Sequence, residues 1–149
     1  MTMPDHGDAD ETPPFAAHDT LGYALKRAQH AMRQHMDRQL KEIGLSAPQY
    51  NVLASLELEP GASNAALSRR AFVTPQTMQA MLVKLERAGL IAREPDAGHG
   101  RIQRTELTAK GRKAVGEAHR RVEMSERLAQ DAAGPEATAI LTRVADALG

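Results

Sequence analysis

The sequence contains no cysteine and no tryptophan, and only two phenylalanines and two tyrosines. Without cysteine the chain cannot form disulfides, thiol redox switches or zinc–cysteine sites. The scarcity of aromatic rings argues against the base-stacking surfaces that single-strand nucleic-acid binders use. No apolar run approaches the roughly 20 residues of a membrane-spanning helix, and the acidic first residues do not resemble a signal peptide. We therefore expect a cytoplasmic protein that has no membrane partner.

The chain of 149 residues carries no formal net charge, so the overall charge neither favours nor excludes a nucleic-acid partner. The distribution of charge is more informative. Residues 1–20 contain five acids and no lysine or arginine, whereas residues 61–104 contain seven bases and three acids. A local positive patch attracts phosphates over a Debye length of about 8–10 Å even on a neutral protein. The basic segment is therefore the candidate site for nucleic acid.

The length suits one domain with its own core, but the composition changes along the chain. Residues 1–18 are rich in aspartate, proline and small residues and show no apolar period, which predicts a disordered acidic arm. Residues 19–149 carry apolar residues at regular spacing almost throughout. This part of the chain is predicted to form a single domain.

Capping residues mark the limits of the first two predicted helices. The first helix runs over residues 19–43. Ser46 and Gln49 then have the spacing of a capping box, with Pro48 in the first turn of the second helix. The second helix ends before Gly61. Both boundaries follow from local side-chain chemistry alone.

A short third helix follows and is capped by Ser63. Phe72 and Val73 are expected to fill the turn after it. Thr74 then caps the fourth helix, with Pro75 at its first position, where a missing N–H group costs nothing. Two short helices joined in this way predict a helix-turn-helix.

The hydrophobic period changes after the fourth helix. Residues 91–95 and 101–108 have the pattern of two short strands joined by a glycine-containing turn. Thr108 caps a fifth helix that runs to about Gln130, with Leu128 among its candidate buried residues, and a sixth helix follows. The segment therefore predicts a basic hairpin and two further helices.

These elements predict a mainly α protein with a small β-hairpin, organised as a winged helix-turn-helix over residues 45–107. The flanking helices, residues 19–43 and 108–148, carry more apolar surface than so small a core can cover. We expect these dimerisation helices to pack against a second copy of the chain, which predicts a homodimer.

The fourth helix has two different faces. Met78, Leu82 and Leu85 share an apolar face, while short polar side chains and one lysine occupy the opposite face. We expect this second face to contact double-stranded DNA in the major groove. The predicted DNA-binding residues are Ser63, Asn64, Arg69, Arg70, Thr74, Pro75, Gln76, Thr77, Gln79, Ala80, Lys84, Arg93, His99 and Arg101.

These residues are expected to have different roles. Gln76, Thr77 and Gln79 are the predicted base readers, because glutamine can pair bidentately with adenine and threonine can contact the thymine methyl group. Lysine and arginine on the two helices are better suited to phosphates, which position the protein without reading sequence. Arg101, in the hairpin, is expected to reach the neighbouring minor groove.

The order of these motifs resembles that of the MarR family of bacterial transcription regulators. The resemblance covers about residues 19–148, and its most specific parts are LSAPQYNVLASL, PGASNAALSRRAFVTPQTMQAMLVKLERAGLIARE and RTELTAKGR. It implies a triangular homodimer with two winged lobes and a ligand pocket between the dimerisation and DNA-binding parts.

One residue departs from the family pattern. Family members usually carry an acidic residue two places before the wing arginine, where it orients that arginine, but this sequence has His99 before Arg101. A looser wing, a solvent-exposed tip residue and a protonated imidazole that touches a phosphate are all compatible with His99.

The family pocket often takes small aromatic acids. The candidate lining residues in this chain are Met32, Arg33, His35, Met36, Pro48, Tyr50, His119 and Val122. Methionine adapts to varied apolar shapes, and Arg33 is suited to pair with a carboxylate. Methionines at helical spacing also suit a hydrophobic core, so both interpretations stay open.

The sequence thus predicts a sequence-specific transcriptional regulator, and a repressor that binds a palindromic operator as a homodimer is the simplest form. A small aromatic or phenolic effector is expected to release it. The alternative is a winged-helix module that makes protein contacts without DNA specificity. An enzyme is not predicted, because the sequence lacks a nucleophile elbow, a phosphate loop and a metal cluster. We expect no catalytic residue, metal site or cofactor.

Overall fold

In a computed structural model, which describes residues 16–149 with the exception of the His99 side chain, the predicted helices and the predicted hairpin follow one another in the expected order. Most of the predicted acidic arm therefore lies outside the described residues. After a short 3-10 turn the elements are α1 (Leu21–Lys41), α2 (Ala47–Leu58), β1 (Ala62–Ser63), α3 (Asn64–Ala71), α4 (Pro75–Arg87), β2 (Ile91–Asp96), β3 (His99–Leu107), α5 (Ala109–Ala133) and α6 (Ala137–Leu148).

The caps predicted from the sequence are present. Ser46 and Gln49 form both halves of a capping box, with N···O distances of 3.3 and 3.0 Å. The hydroxyls of Ser63, Thr74 and Thr108 each accept a hydrogen bond from the backbone amide three residues later. Each cap satisfies an amide that the helix leaves unpaired, so these residues fix where α2 to α5 begin.

The sheet has three antiparallel strands in the order β1-β3-β2, one more than the predicted hairpin. β2 and β3 form the hairpin, while Ala62 and Ser63 pair with Thr105 and Arg104 of β3. A strand of two residues is too short to show a period, and therefore the sequence did not reveal β1. Because β1 leads directly into α3, this pairing attaches the helix-turn-helix to the wing.

The core lies within the second of two compact units into which the chain divides, residues up to Ala31 and Met32–Gly149. The single domain predicted over residues 19–149 stays a prediction. The largest side chains that are almost completely buried are Leu40, Leu53, Leu56, Leu67, Met78, Leu82 and Leu85. They come from α1 to α4, and Val115, Ala118 and Val122 of α5 belong to the same apolar cluster.

The start of α5 approaches the chain between α4 and β2 very closely. A Cβ atom placed on Gly111 would lie 1.9 Å from the carbonyl oxygen of Leu90. Next to it, the Thr108 amide donates to Leu90 O at 3.1 Å and its hydroxyl donates to Gly89 O at 2.6 Å. Only glycine fits at position 111, so this residue sets how α5 is joined to the wing.

Two large apolar residues that the sequence analysis singled out are exposed. Phe72, expected to fill the turn, is 95% exposed and has a left-handed backbone with φ of 55°. Leu128 was predicted to be buried but is 55% exposed. Phe72 lies in the turn as predicted but is not packed there, and the prediction that Leu128 is buried was wrong for a single copy of the chain, because the core closes without these side chains. Leu128 belongs instead to the exposed apolar residues of α5 and α6, together with Met124, Ile140, Leu141 and Leu148.

Over residues 16–149 the structure contains no helix that is both long and apolar enough to cross a membrane.

Candidate nucleic-acid interface

The polar row of α4 is held outward by the burial of its opposite face. Met78, Leu82 and Leu85 are between 0 and 1% exposed and anchor the helix to the core. The exposed side of α4 and its cap carries Thr74, Pro75, Gln76, Thr77, Gln79, Ala80 and Lys84. The helix cannot rotate without exposing its buried leucines, so these side chains point to solvent in a defined order.

The first turn of α4 is ordered by its own hydroxyl groups. The Thr74 hydroxyl accepts from the Thr77 amide at 3.1 Å and donates to the Thr77 hydroxyl at 3.0 Å. Asn64, at the start of α3, donates from its side-chain amide to Pro75 O at 3.4 Å. The hydrogen bond from Asn64 links the N-terminal ends of α3 and α4, and the N-terminal end of a helix favours a phosphate.

The predicted phosphate contacts on α3 differ in their freedom. Arg70 is tied back to α2, because its guanidinium donates to Glu59 Oε2 at 3.0 Å and to Ser55 O at 3.3 Å. Arg69 is exposed and, within residues 16–149, has no side-chain hydrogen bond. Of the two, Arg69 is the freer cation, whereas Arg70 also helps to join α2 and α3.

Arg93 of β2 turns toward α4 rather than toward solvent. Its guanidinium donates to both carboxylate oxygens of Glu86 and to Oε1 of Gln79. The hydrogen bond from Arg93 is the main reason that the pKa of Glu86 is lowered. Sequence reasoning did not single out Glu86, although the spacing of seven residues already predicts that Glu86 and Gln79 lie on the same face of α4.

The wing places Arg101 beside the same face of α4. The register between β2 and β3 shifts, so that Gly100 to Ile102 lie between the consecutive pairs Asp96–His99 and Pro95–Gln103. A cleft of about 320 Å³ separates α4 from this part of the wing; it is lined by Asn64, Gln79, Leu82, Arg93, Gly100, Arg101, Gln103 and Thr105. The prediction for the His99 side chain lies outside what the structure describes.

The residues predicted to line a ligand pocket occupy different environments. Met36 and Val122 belong to the core, and Met32 packs against it half-buried. Pro48 is half-buried in the first turn of α2. Arg33 is exposed and lies 3.8 Å from an oxygen of Asp37. The apolar members therefore lie partly inside the core.

The polar members of this group link α5 to α1 and α2. His35 Nδ1 and the Ser125 hydroxyl are 2.7 Å apart. Tyr50 OH lies 2.9 Å from His119 Nδ1, and His119 Nε2 lies 2.6 Å from a carboxylate oxygen of Glu57. Sequence reasoning missed Glu57, although it lies two helical turns after Tyr50 on α2.

Burial, reinforced by the negative charges of Glu57 and Glu126, raises the pKa of Tyr50. Its phenol therefore stays protonated at neutral pH. A protonated phenol can donate to His119 Nδ1, which leaves the hydrogen of His119 on Nε2, facing Glu57. In that tautomer the hydrogen bonds run in one direction, from Tyr50 through His119 to Glu57.

Comparisons with known proteins point to one group. The profile of the MarR family matches residues 43–102. The HTH-type transcriptional repressor Rv2887 of Mycobacterium tuberculosis is 41% identical over 106 residues, which is 71% of this chain and 71% of the repressor. The transcriptional regulator HosA of Escherichia coli is 34% identical over 96 residues, which is 64% of this chain and 71% of HosA.

Two solved structures extend the similarity along the chain. The crystal structure of Rv2887 in complex with salicylic acid matches with a TM-score of 0.69 at 33% identity, over 91% of this chain and 100% of that chain. The transcriptional repressor CouR bound to a 23-mer DNA duplex matches with a TM-score of 0.79 at 28% identity, over 87% of this chain and 93% of that chain.

Proposed function

The chain belongs to the MarR family of transcriptional regulators, and from this premise we propose that it is a repressor that binds operator DNA as a homodimer and leaves it when a small aromatic acid binds. Family membership places it among regulators rather than enzymes. The observation that carries the proposal is the capped helix α4, whose polar row is fixed outward beside a basic wing.

Each part of this surface has a role that suits its chemistry. Gln76, Thr77 and Gln79 lie where an inserted helix presents side chains to base edges in the major groove. Lys84 and Arg69 are exposed cations suited to phosphates. Arg101, beside the register shift of the wing, is suited to the narrow minor groove of A·T-rich DNA.

The homodimer is supported by the apolar residues that α5 and α6 leave uncovered. Replacing Leu141 with aspartate places a charge on that surface and is expected to produce monomers. Ala139→Asp is the matched control, because it adds the same charge on the opposite side of α6. Sedimentation velocity measures the result. A wild type that sediments as a monomer would contradict the dimer proposal, and a Leu141→Asp variant that stays dimeric would exclude this surface as the interface.

The effector proposal draws on the polar groups between α1, α2 and α5. Salicylic acid is bound by Rv2887. Its carboxylate and phenol have the chemistry to replace Ser125 and Glu57 as hydrogen-bond partners of His35, Tyr50 and His119. Differential scanning fluorimetry with salicylate tests this directly, since a ligand that binds only the folded state raises Tm. No change in Tm for wild type, or equal shifts for wild type and Tyr50→Phe, would exclude a role for the Tyr50 hydroxyl.

The DNA proposal is tested by capturing genomic fragments with purified protein and titrating the selected site at several salt concentrations. We expect a palindromic site whose affinity falls steeply with salt, because bound cations release counterions from DNA. Lys84→Ala is expected to lower the salt slope by about one. Protein that enriches no fragment at low salt would refute DNA binding and favour a module for protein contacts.

A further inference from the structure

Arg93 connects the wing to the exposed face of α4 through a single guanidinium group. Its Nε and Nη2 donate to the two carboxylate oxygens of Glu86 at 3.3 and 3.1 Å, and its Nη1 donates to Gln79 Oε1 at 3.1 Å. Gln79 and Glu86 are seven residues apart and so lie on the same face of the helix. The Arg93 side chain is only 11% exposed, so one largely covered cation holds both residues.

The chemistry of arginine decides which end of the Gln79 amide faces it. A guanidinium group has five N–H donors and no acceptor, so it can bind the amide oxygen but not the amide NH2 group. The two bonds to Glu86 hold the guanidinium in its orientation. Gln79 therefore turns its oxygen toward Arg93. Within the described part of the chain, its NH2 group has no hydrogen-bond acceptor and is left for an external partner.

This arrangement changes what Gln79 can recognise. A freely rotating glutamine matches adenine, because its oxygen accepts from N6 while its NH2 group donates to N7. The oxygen keeps a second lone pair, but its bond to Arg93 holds that end of the amide toward the wing, so the NH2 donor is the end left to meet a base. Guanine presents two acceptors in the major groove, N7 and O6, whereas cytosine presents a donor there. Of the four bases, guanine offers a donor the most complete match.

We propose that Arg93 is a positioning residue that makes Gln79 present its NH2 donor to guanine. This inference rests on the proposed function, because it requires α4 to lie in the major groove. It replaces two expectations drawn from the sequence alone. Gln79 no longer pairs bidentately with adenine, and Arg93 orients a base-reading side chain instead of contacting DNA itself.

A competition assay on operator duplexes tests the inference. The base pair read by Gln79 is identified first, as the position whose preference disappears when Gln79→Ala and wild type select sites from random duplexes. Four duplexes that differ only at that base pair are then titrated. We expect wild type to prefer guanine to adenine by roughly tenfold, which is typical of one good base contact.

Two variants change the hydrogen-bonding pattern at the same position. Gln79→Glu presents an acceptor where wild type presents a donor, so we expect the preference to move from guanine to cytosine. Arg93→Met removes the guanidinium but keeps a side chain of similar length, so the Gln79 amide can rotate and guanine loses its advantage over adenine. Lys84→Met is the matched control: it removes one positive charge from α4 and is expected to weaken all four duplexes equally.

Several results would overturn the proposed role of Arg93. A wild-type preference for adenine at that position overturns the inference, and so does a folded Arg93→Met protein that keeps the wild-type ratio. Equal weakening of all four duplexes by Arg93→Met identifies Arg93 as a phosphate contact, which also overturns it. Because Gln79 is exposed, Gln79→Glu gives an answer even if Arg93→Met does not fold. If wild type prefers no site at all, the proposed function fails and this inference fails with it.

Discussion

Replacing Gly111 with alanine tests how tightly α5 is joined to the wing. The added Cβ would lie 1.9 Å from Leu90 O and 2.9 Å from the Leu90 carbonyl carbon, both of which are backbone atoms that cannot rotate away. Separations below 3.0 Å are essentially never found for a real Cβ, so α5 has to move by more than 1 Å. Such a displacement breaks the hydrogen bonds that Thr108 makes to Gly89 and Leu90.

The cost can be estimated from these contacts. Each lost hydrogen bond costs about 1 kcal/mol, and forcing an extra methyl group into a packed site costs about 1–3 kcal/mol. Alanine returns about 1 kcal/mol through its better helix propensity. We therefore expect Gly111→Ala to lower the free energy of unfolding by about 3 kcal/mol.

Gly116 provides a matched control in the same helix. A Cβ on Gly116 would meet nothing within 4 Å, so only the helix propensity changes and Gly116→Ala is expected to stabilise the protein by about 0.5–1 kcal/mol. Urea unfolding followed by circular dichroism, at one protein concentration, measures both variants. A midpoint for Gly111→Ala at or above that of wild type would refute the reasoning.

Three further variants probe single contacts. Phe72→Asn relieves the left-handed strain and loses no core contact, so its thermal unfolding is expected to show a gain of about 1 kcal/mol; a lower Tm would contradict this. Glu86→Gln should be less stable than wild type at neutral pH, because the lowered pKa of Glu86 means that folding favours its ionised form. This contribution to the free energy of unfolding is present above the usual pKa of 4.5 and disappears as the pH falls through the pKa of the folded state. Urea midpoints that still differ near pH 2 would argue against an ionic origin. Tyr50→Phe should lose about 1 kcal/mol in chemical unfolding, whereas Tyr23→Phe should lose nothing; equal effects would show that the bond to His119 is not responsible.

The predictions that hold concern residues that interact within one helical turn. Ser46, Ser63, Thr74 and Thr108 cap their helices as predicted, because a cap depends on an amide only three residues away. The burial of one face of α4 follows in the same way from apolar residues at helical spacing. The position of the polar row on α4 could therefore be predicted from the sequence.

The predictions that failed, or were never made, depend on residues far apart in the chain. Phe72 has ordinary core chemistry, and only the way the core closes leaves it in solvent. β1 exists because β3 lies beside it, more than forty residues later. From the sequence alone Arg93 is expected to be an exposed cation, yet the packing of β2 on α4 turns its side chain toward Glu86.

The amino-acid sequence alone determined where the helices begin, which face of α4 is apolar and which polar residues lie opposite that face, because these properties arise from neighbours along one helix. Tertiary structure decided which of those polar groups stay available. It placed the Arg93 guanidinium against the Gln79 oxygen and the Leu90 carbonyl against Gly111. Such contacts are set by the packing of separate elements, where a shift of about 1 Å makes or breaks a hydrogen bond. The residues next to each other along the chain do not determine that packing.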